Sequence, residues 1–566
     1  MKTLKKQIQE IVQLAYQKDF GTTSKPASVE YCDIKFGHFA TNIALANSKQ
    51  LAIPPAQIAA TLAKTLASNN IFTSVEVQEP GFINIRLRPE VLLKTVQASH
   101  ENVLNDLELS GQSKKLLIDY SHPNIGKPMG VHHLLSTVIG DSLKRLYRKA
   151  GYQVVADNFI GDMGTQFGKL IYAVKTWGDI QEIEKNPIPE LLRLYVDFHN
   201  QAETDPELDK AGQAEYKKLE DGDPESRALL KKIQGWSMTE ILALYDQLDV
   251  EFDYFNGESF YEDKMASIIA QGKASGVFEI SQDALVCFLD NPDEPPAIIL
   301  KKDGTSLYLT KDLARIAYWE KTWNPSYMVN VVDIAQSLHF RQVYEVAEKL
   351  NLTKAQNIHV AFGRMQFADG SMSTRKGNIV LVEDLLAETK RRVKKQIVEL
   401  SKGLSVKESD ELVEVLAINS LKYNILRQNR LSNISFDWDS MLSLEGNSAP
   451  YLAYSAVRMQ AISRLSQQQI ALPVASSAAL DSVEIALILQ ISRANEVFSA
   501  ALSGFDPSNI ANYCYELCRM YNSFYHTHRV VEEGQVSSSR LIINNTTLRV
   551  IETCFEVLGL KLPAKM

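Results

Sequence analysis

Apolar residues in this chain recur at helical spacing over long stretches and alternate, or run together, in a few short ones. The pattern therefore predicts a mixed helix and strand protein. The first twenty residues, MKTLKKQIQEIVQLAYQKDF, give a charged amphipathic helix with no apolar signal core. Ile58 to Leu66 is a second helix, and Val75 to Leu87 is a hairpin turning at Pro80-Gly81. Residues 1–105 thus form a small α+β unit. A buried strand at Leu116 to Tyr120, a helix from His133 to Lys149 and a strand and loop from Gln153 to Gly161 then make a βαβ unit, which requires a parallel sheet.

Ile180 to Lys232 is charged and helical, with an acidic loop from Glu203 to Glu225, and predicts an insertion around residues 180–235. Strand patterns return at Gly276 to Ile280, Leu285 to Leu289, Ala297 to Leu300 and Tyr327 to Val332. Beyond Val382 nearly everything is helical: Glu411 to Asn429, Ala449 to Ser466, Val483 to Leu502 and Ile510 to His526. Three domains are expected: 1–105, an α/β domain over 112–382, and an all-α domain over 383–566, the last dispensable for folding of the second.

A length of 566 residues allows several cores. Apolar content of 45% and charged content of 23% exclude a disordered chain, and no apolar run approaches the length of a membrane span. Five scattered cysteines suit a reducing compartment, so a cytoplasmic location is expected. A net charge of −8 argues against nonspecific nucleic-acid binding, although a local basic face is enough for an RNA ligand. Lys390 to Lys395 is one such face, or simply a solvated helix end where cations are favoured.

The chemistry concentrates between Ile118 and Thr137, IDYSHPNIGKPMGVHHLLST. A strand, a Pro- and Gly-rich loop and a helix start build an anion site, because the first helical turn offers free N–H groups and a positive dipole end. Pro123, Gly126, Pro128 and Gly130 shape the loop, Lys127 adds a point charge, and His132 and His133 add donors. The spacing is not that of the G-x-x-x-x-G-K-[ST] phosphate loop.

This segment resembles the signature of class I aminoacyl-tRNA synthetases, and of the arginyl-tRNA synthetase family in particular, which reads SxPNxAKxxHxGHLRST followed by IIGD. Further resemblances follow in the family's order: EPGFINIRL from Glu79, GDMGTQFG from Gly161, DGTSLYLTKD from Asp303, MSTRKG from Met372 and FDWDSMLSLEGNSAPY from Phe436. The resemblance implies a Rossmann-like catalytic domain with insertions, an N-terminal α+β domain touching tRNA and a C-terminal anticodon-binding helical bundle. It implies an arginine–tRNA ligase using ATP, L-arginine and tRNA(Arg), with magnesium held through the phosphates, no structural metal, no membrane association and a monomeric state.

Residue by residue, the resemblance puts Asp119, Ser121, Asn124, Tyr308, Asp312 and Gln336 on the arginine. ATP would meet Pro123, Gly126, Lys127, Gly130, His132, His133, Gly161, Asp162 and Gly164. A loop bearing Met372, Ser373, Arg375 and Lys376 would close on the phosphates. Lys127, His132, His133 and Arg375 would carry catalysis through charge stabilisation, since the substrate carboxylate is the nucleophile.

Two departures stand out. The family's HxGH is Gly130-Val131-His132-His133 here, and KMSKS has become Ser371-Met372-Ser373-Thr374-Arg375, with no lysine; in the family the lysine of PNxAK, here Lys127, is thought to compensate. The altered histidine motif keeps a non-catalytic tRNA-binding paralogue open as an alternative, beside a synthetase for another amino acid. Elsewhere, Cys514 and Cys518 suit a core face, His526 and His528 suit solvent, and Asp437 and Asp439 suit either a helix cap or an RNA contact.

Overall fold

The computed structural model describes residues 3–21, 25–104, 107, 110–302, 304, 308–367, 380–397, 403–466, 479–532 and 535–566. Its centre is a four-stranded, all-parallel sheet in the order Gln356–Phe362, Tyr327–Asp333, Lys115–Asp119, Gln153–Asp157. The two central strands are apolar almost throughout, as strands covered on both faces must be. From Lys115–Asp119 the chain crosses through the Val131–Lys149 helix to Gln153–Asp157 on one side, while Tyr327–Asp333 flanks it on the other. The connections diverge there, so a crevice opens at the carboxyl ends of those two strands.

The Val131–Lys149 helix starts two residues earlier than its apolar pattern suggests, because Gly130 caps it: the Gly130 N–H donates to His133 Nδ1 at 3.1 Å. Gly140 lets this helix lie directly on Tyr120, since a methyl group there would come within 2.2 Å of the tyrosine ring. Most of the helix is buried, because the sheet covers one side and the C-terminal helices Val406–Leu426 and Ser538–Leu558 cover the other.

The charged insertion is helical, as its pattern indicates, but the acidic loop expected over Glu203 to Glu225 contains the Glu207–Asp221 helix. Its Leu208, Gly212 and Leu219 are buried against the Thr165–Trp177 helix, where Gly168 and Gly212 meet so closely that a Cβ on Gly168 would lie 2.2 Å from the Gly212 carbonyl oxygen. High charge hid an apolar stripe that is only one residue wide per turn.

At the N-terminal side, strands Phe72–Gln78 and Phe82–Leu87 form the expected hairpin within a four-stranded antiparallel sheet, backed by the Leu4–Phe20 and Pro55–Ala67 helices. Strands Glu279–Ser281, Ala284–Cys287 and Ala297–Leu300 make a small antiparallel sheet over a separate core.

The C-terminal region departs from pure helix. Strand Ile434–Phe436 pairs with Met365–Phe367, and a two-stranded hairpin joins Val531–Glu532 to Gln535–Val536. The helix expected from Val483 to Leu502 is two helices, Ser482–Ser492 and Ala494–Gly504, meeting at Arg493. Contrary to the sequence expectation, the Ser482–Gly504 stretch is long and apolar enough to cross a membrane by length and composition. Half of it is buried within the protein, and its first helix packs on Pro89–Glu101 and Ser508–Thr527, which is how a core helix behaves.

Nor is the bundle a detachable body. One apolar core runs through the N-terminal unit, the parallel sheet and the C-terminal helices, and Ser142 Oγ and Tyr147 OH on the central helix donate to the Val557 and Leu502 carbonyls. The expectation that this domain is dispensable for folding is therefore not supported.

Candidate active site

A cleft of about 1020 Å³ lies at the divergence of the two central strands. Ser121, His122 and Asn124 line it from the strand Lys115–Asp119, His132, His133 and Ser136 from the helix that follows, and Asp333 and Gln336 from the end of Tyr327–Asp333. The chain leaves the sheet through two consecutive non-glycine residues with positive φ, Ser121 at 84° and His122 at 56°. Such strain persists only when the surroundings impose it. The Ser121 N–H donates to Ser136 Oγ at 2.8 Å, and Ser121 Oγ lies 2.7 Å from Thr137 Oγ1 and 2.6 Å from the Tyr245 hydroxyl.

The signature loop and the GDMG loop are stitched together. Ile125 N–H donates to Gly161 O at 3.0 Å and Gly161 N–H to Pro123 O at 2.9 Å; a Cβ at Gly161 would fall 2.3 Å from Asn124 Oδ1. This is why glycine is required there.

His133 is buried and its pKa is pushed down to about 3, chiefly by burial and then by the neighbouring His132 and His122. It is neutral near pH 7, and because Nδ1 accepts from Gly130 the proton sits on Nε2, leaving that nitrogen a donor. His132 is exposed, its ring centroid 3.9 Å from that of His133.

Behind the cleft, carboxylates alternate with a guanidinium and two imidazoles. Arg315 donates to Asp119 Oδ2 and pairs with Asp312 Oδ1 at 2.7 Å. His122 Nε2 lies 3.0 Å from Asp119 Oδ2, and His339 Nε2 lies 2.6 Å from Asp312 Oδ2. Burial pushes the Asp119 carboxyl up, but Arg315 and His122 outweigh it and hold the group well below the usual carboxylate range. Asp157, buried and close to Asp119, is raised instead.

The remaining expected residues divide. Asn124 and Gln336 line the cleft, as do Ser121, His132 and His133. Asp312 and Asp119 stand behind it, and Asp119 is spent: besides Arg315 and His122 it accepts from Asn330 Nδ2 at 3.0 Å and Phe159 N at 3.3 Å. The carboxylate read as a direct contact to arginine is thus engaged by four protein groups. Tyr308 is exposed at the start of its helix. Asp162 accepts from Ser259 N and Oγ and is not a cleft residue; it anchors the Glu258–Lys264 turn. Lys127 lies against the Tyr195 ring and a small cavity with Glu240 and Glu383, outside the cleft. Gly126, Gly130 and Gly164 contribute backbone: Gly126 N–H donates to Ser237 Oγ, Gly130 bridges Leu381, and Gly164 begins the Thr165–Trp177 helix. Met372, Ser373, Arg375 and Lys376 lie outside the described residues.

Sequence reasoning missed Arg315, His122, His339 and Asp333. His122 was visible as a residue of the signature loop; nothing in the spacing marked Arg315. Other readings resolve as well. Asp437 is a helix cap, accepting from Ser440 N at 2.8 Å. His528 is buried against Asp481 at 2.8 Å and does not face solvent. Cys514 and Cys518 are core residues, and in the basic run Lys390 pairs with Glu414, Arg391 and Arg392 with Glu388, and Lys394 with Asp410.

Comparison with known proteins agrees across all three regions. Residues 96–438 match the model for the class I tRNA synthetase (R) catalytic domain, 452–566 the DALR anticodon binding domain, and 2–87 the arginyl tRNA synthetase N terminal domain. The chain is 37% identical over 542 residues to the arginine–tRNA ligase of Fusobacterium nucleatum, covering 94% of each. The crystal structure of arginyl-tRNA synthetase from Plasmodium falciparum superposes over 100% of both chains with a TM-score of 0.80 and 26% identity. The Thermus thermophilus arginyl-tRNA synthetase, at 21% identity, a TM-score of 0.80 and 100% coverage of both, shares the fold. With a catalytic-domain match over more than half its length and a relative alike along nearly all of it, the chain belongs to the arginyl-tRNA synthetase family, class I enzymes that ligate arginine to tRNA using ATP.

Proposed function

We propose that the cleft at the strand divergence forms arginyl-adenylate and passes the arginyl group to the 3′ end of tRNA(Arg). The carboxylate oxygen of L-arginine attacks the ATP α-phosphate, the bond to the β-phosphate breaks, and pyrophosphate leaves. A terminal tRNA hydroxyl then attacks the activated carbonyl, and AMP leaves. No protein nucleophile is required, so the chain's own task is placement and charge stabilisation.

One observation carries this reading. Ser121, Asn124, His132 and His133 from the signature segment face Gln336, from a distant part of the chain, across one cleft at the strand ends. In this assignment Asn124 and Gln336 orient the amino-acid end of the substrate, and Asp312 with Tyr308 receives its guanidinium. Neutral His133 donates from Nε2 toward ATP, with His132 beside it. Lys127 and the loop of Met372, Ser373, Arg375 and Lys376 answer the charge on the phosphates. Magnesium arriving with ATP would supply charge neutralisation at the phosphates and would need few protein ligands. We assign the N-terminal unit and the C-terminal helices to tRNA, and the working form to a cytoplasmic monomer that binds no membrane.

ATP–pyrophosphate exchange with and without tRNA tests the assignment. Exchange should depend on L-arginine; its absence in both conditions would leave a tRNA-binding paralogue, and exchange driven by a different amino acid would replace the substrate.

A further inference from the structure

Tyr308, Asp312 and Arg315 fall at i, i+4 and i+7 of the Tyr308–Trp323 helix and so form one stripe. Exposure falls along it from 65% at Tyr308 to 6% at Asp312 and 3% at Arg315, and ends at Asp119, which is fully buried. The stripe runs inward from the surface to the ion pairs that stand behind the cleft. Arg315 is fixed at the bottom by both carboxylates and by the Phe159 and Trp319 rings, whose centroids lie 4.4 and 4.7 Å from its guanidinium carbon. Buried and held on several sides, it is a fixed part of the interior and not a displaceable plug.

The consequence is geometric. Arg315 takes one oxygen of Asp312, and the other faces His339, whose side chain is partly exposed. That outer edge is where an incoming guanidinium can pair, once it displaces the imidazole. Deeper binding, between Asp312 and Asp119, is closed to it because a guanidinium already stands there and like charges repel. Building on the assignment of Asp312 to the substrate side chain, we infer that Arg315 sets the depth of the amino-acid pocket and so measures side-chain length. A guanidinium stopped at Asp312 leaves its α-carboxylate at the ATP; one that sank further would withdraw it, and a displacement of about 1 Å can cost 10²-fold in rate. Three residues of helix separate the two levels, about 4.5 Å of rise, more than one extra methylene needs.

Arg315→Ala should therefore favour a longer substrate. In ATP–pyrophosphate exchange the ratio of kcat/KM for L-homoarginine to that for L-arginine should rise at least tenfold. For L-arginine, kcat should fall while KM changes little, and millimolar guanidinium ion should restore part of the wild-type preference by refilling the vacated position. A merely structural residue would change both substrates alike and would not respond to guanidinium. Removing one partner of a buried ion pair can unfold a protein, so Arg315→Lys, which keeps the cation, carries the test if the alanine variant does not fold. It should shift the ratio in the same direction by about threefold, the lysine being unable to span both carboxylates. A ratio unmoved in the folded variant overturns the inference. Asp312→Ala, assayed alongside, separates the two levels: if it leaves the arginine KM within about threefold, the pocket assignment itself fails. If it raises that KM tenfold or more while the Arg315 variants leave the ratio unmoved, only the depth inference fails.

Discussion

The Lys127 ammonium lies 4.1 Å from the centroid of the Tyr195 ring, so the loop's lysine rests on an aromatic face of the helical insertion and not in the cleft. A cation–π contact of this kind contributes about 0.5–1 kcal/mol when partly exposed, little enough for a ligand phosphate to outcompete.

Lys127→Ala should lower kcat for adenylate formation about 10²-fold while ATP KM stays within about threefold, since the charge matters most where the transition state gains it. Tyr195→Leu, which frees the lysine, should alter kcat less than about fivefold. Stopped-flow adenylate formation decides; a loss confined to ATP affinity would remove Lys127 from the chemical step.

His132→Gly tests the rearranged histidine motif. With His133 held by Gly130 and neutral, the exposed His132 is the second donor of the helix entrance. Its removal should cut kcat about 10²-fold, the scale of one lost transition-state donor. An unchanged or improved kcat would mean that the ring only crowds the nucleotide.

His133 also ties stability to pH. Its folded pKa of about 3 lies below the ordinary 6.5, so the folded state resists a proton that the unfolded chain accepts. The stability from the neutral ring is complete above pH 6.5 and is lost progressively as pH falls toward 3, by up to about 5 kcal/mol. Urea denaturation across that window should show a shallower acid loss for His133→Gln than for the wild type. Parallel curves would contradict a buried neutral imidazole.

A chain ending near Lys402 should be much less stable than the whole protein. It would uncover the Val131–Lys149 helix where Ser538–Leu558 and Val406–Leu426 now lie, and strip Asp141 of Lys422 and the Gly559 turn. A fall in melting temperature of roughly 10 °C or more is expected; a truncated chain melting within a few degrees of the full protein would show the domains to be independent after all.

The sequence by itself determined the order of elements and the signature loop. Apolar runs and helical periodicity mark the βαβ unit because both report local burial, and Pro, Asn and Gly mark the loop because they report local backbone geometry. Motif resemblance likewise carried Ser121, Asn124, His132, His133 and Gln336 to one cleft, although they come from separate strands. Tertiary structure alone decided what the charged groups do. Asp119, read as a ligand for arginine, is consumed by Arg315, His122, Asn330 and Phe159, partners contributed by three other segments as well as its own loop. Lys127 is drawn to Tyr195 of an insertion, and buried His528 meets Asp481 from three helices earlier in the chain. Periodicity says which side of an element is dry; it does not say which opposite charge the fold brings against it. That depends on long-range approach, and a buried charge is settled by the partner it meets there.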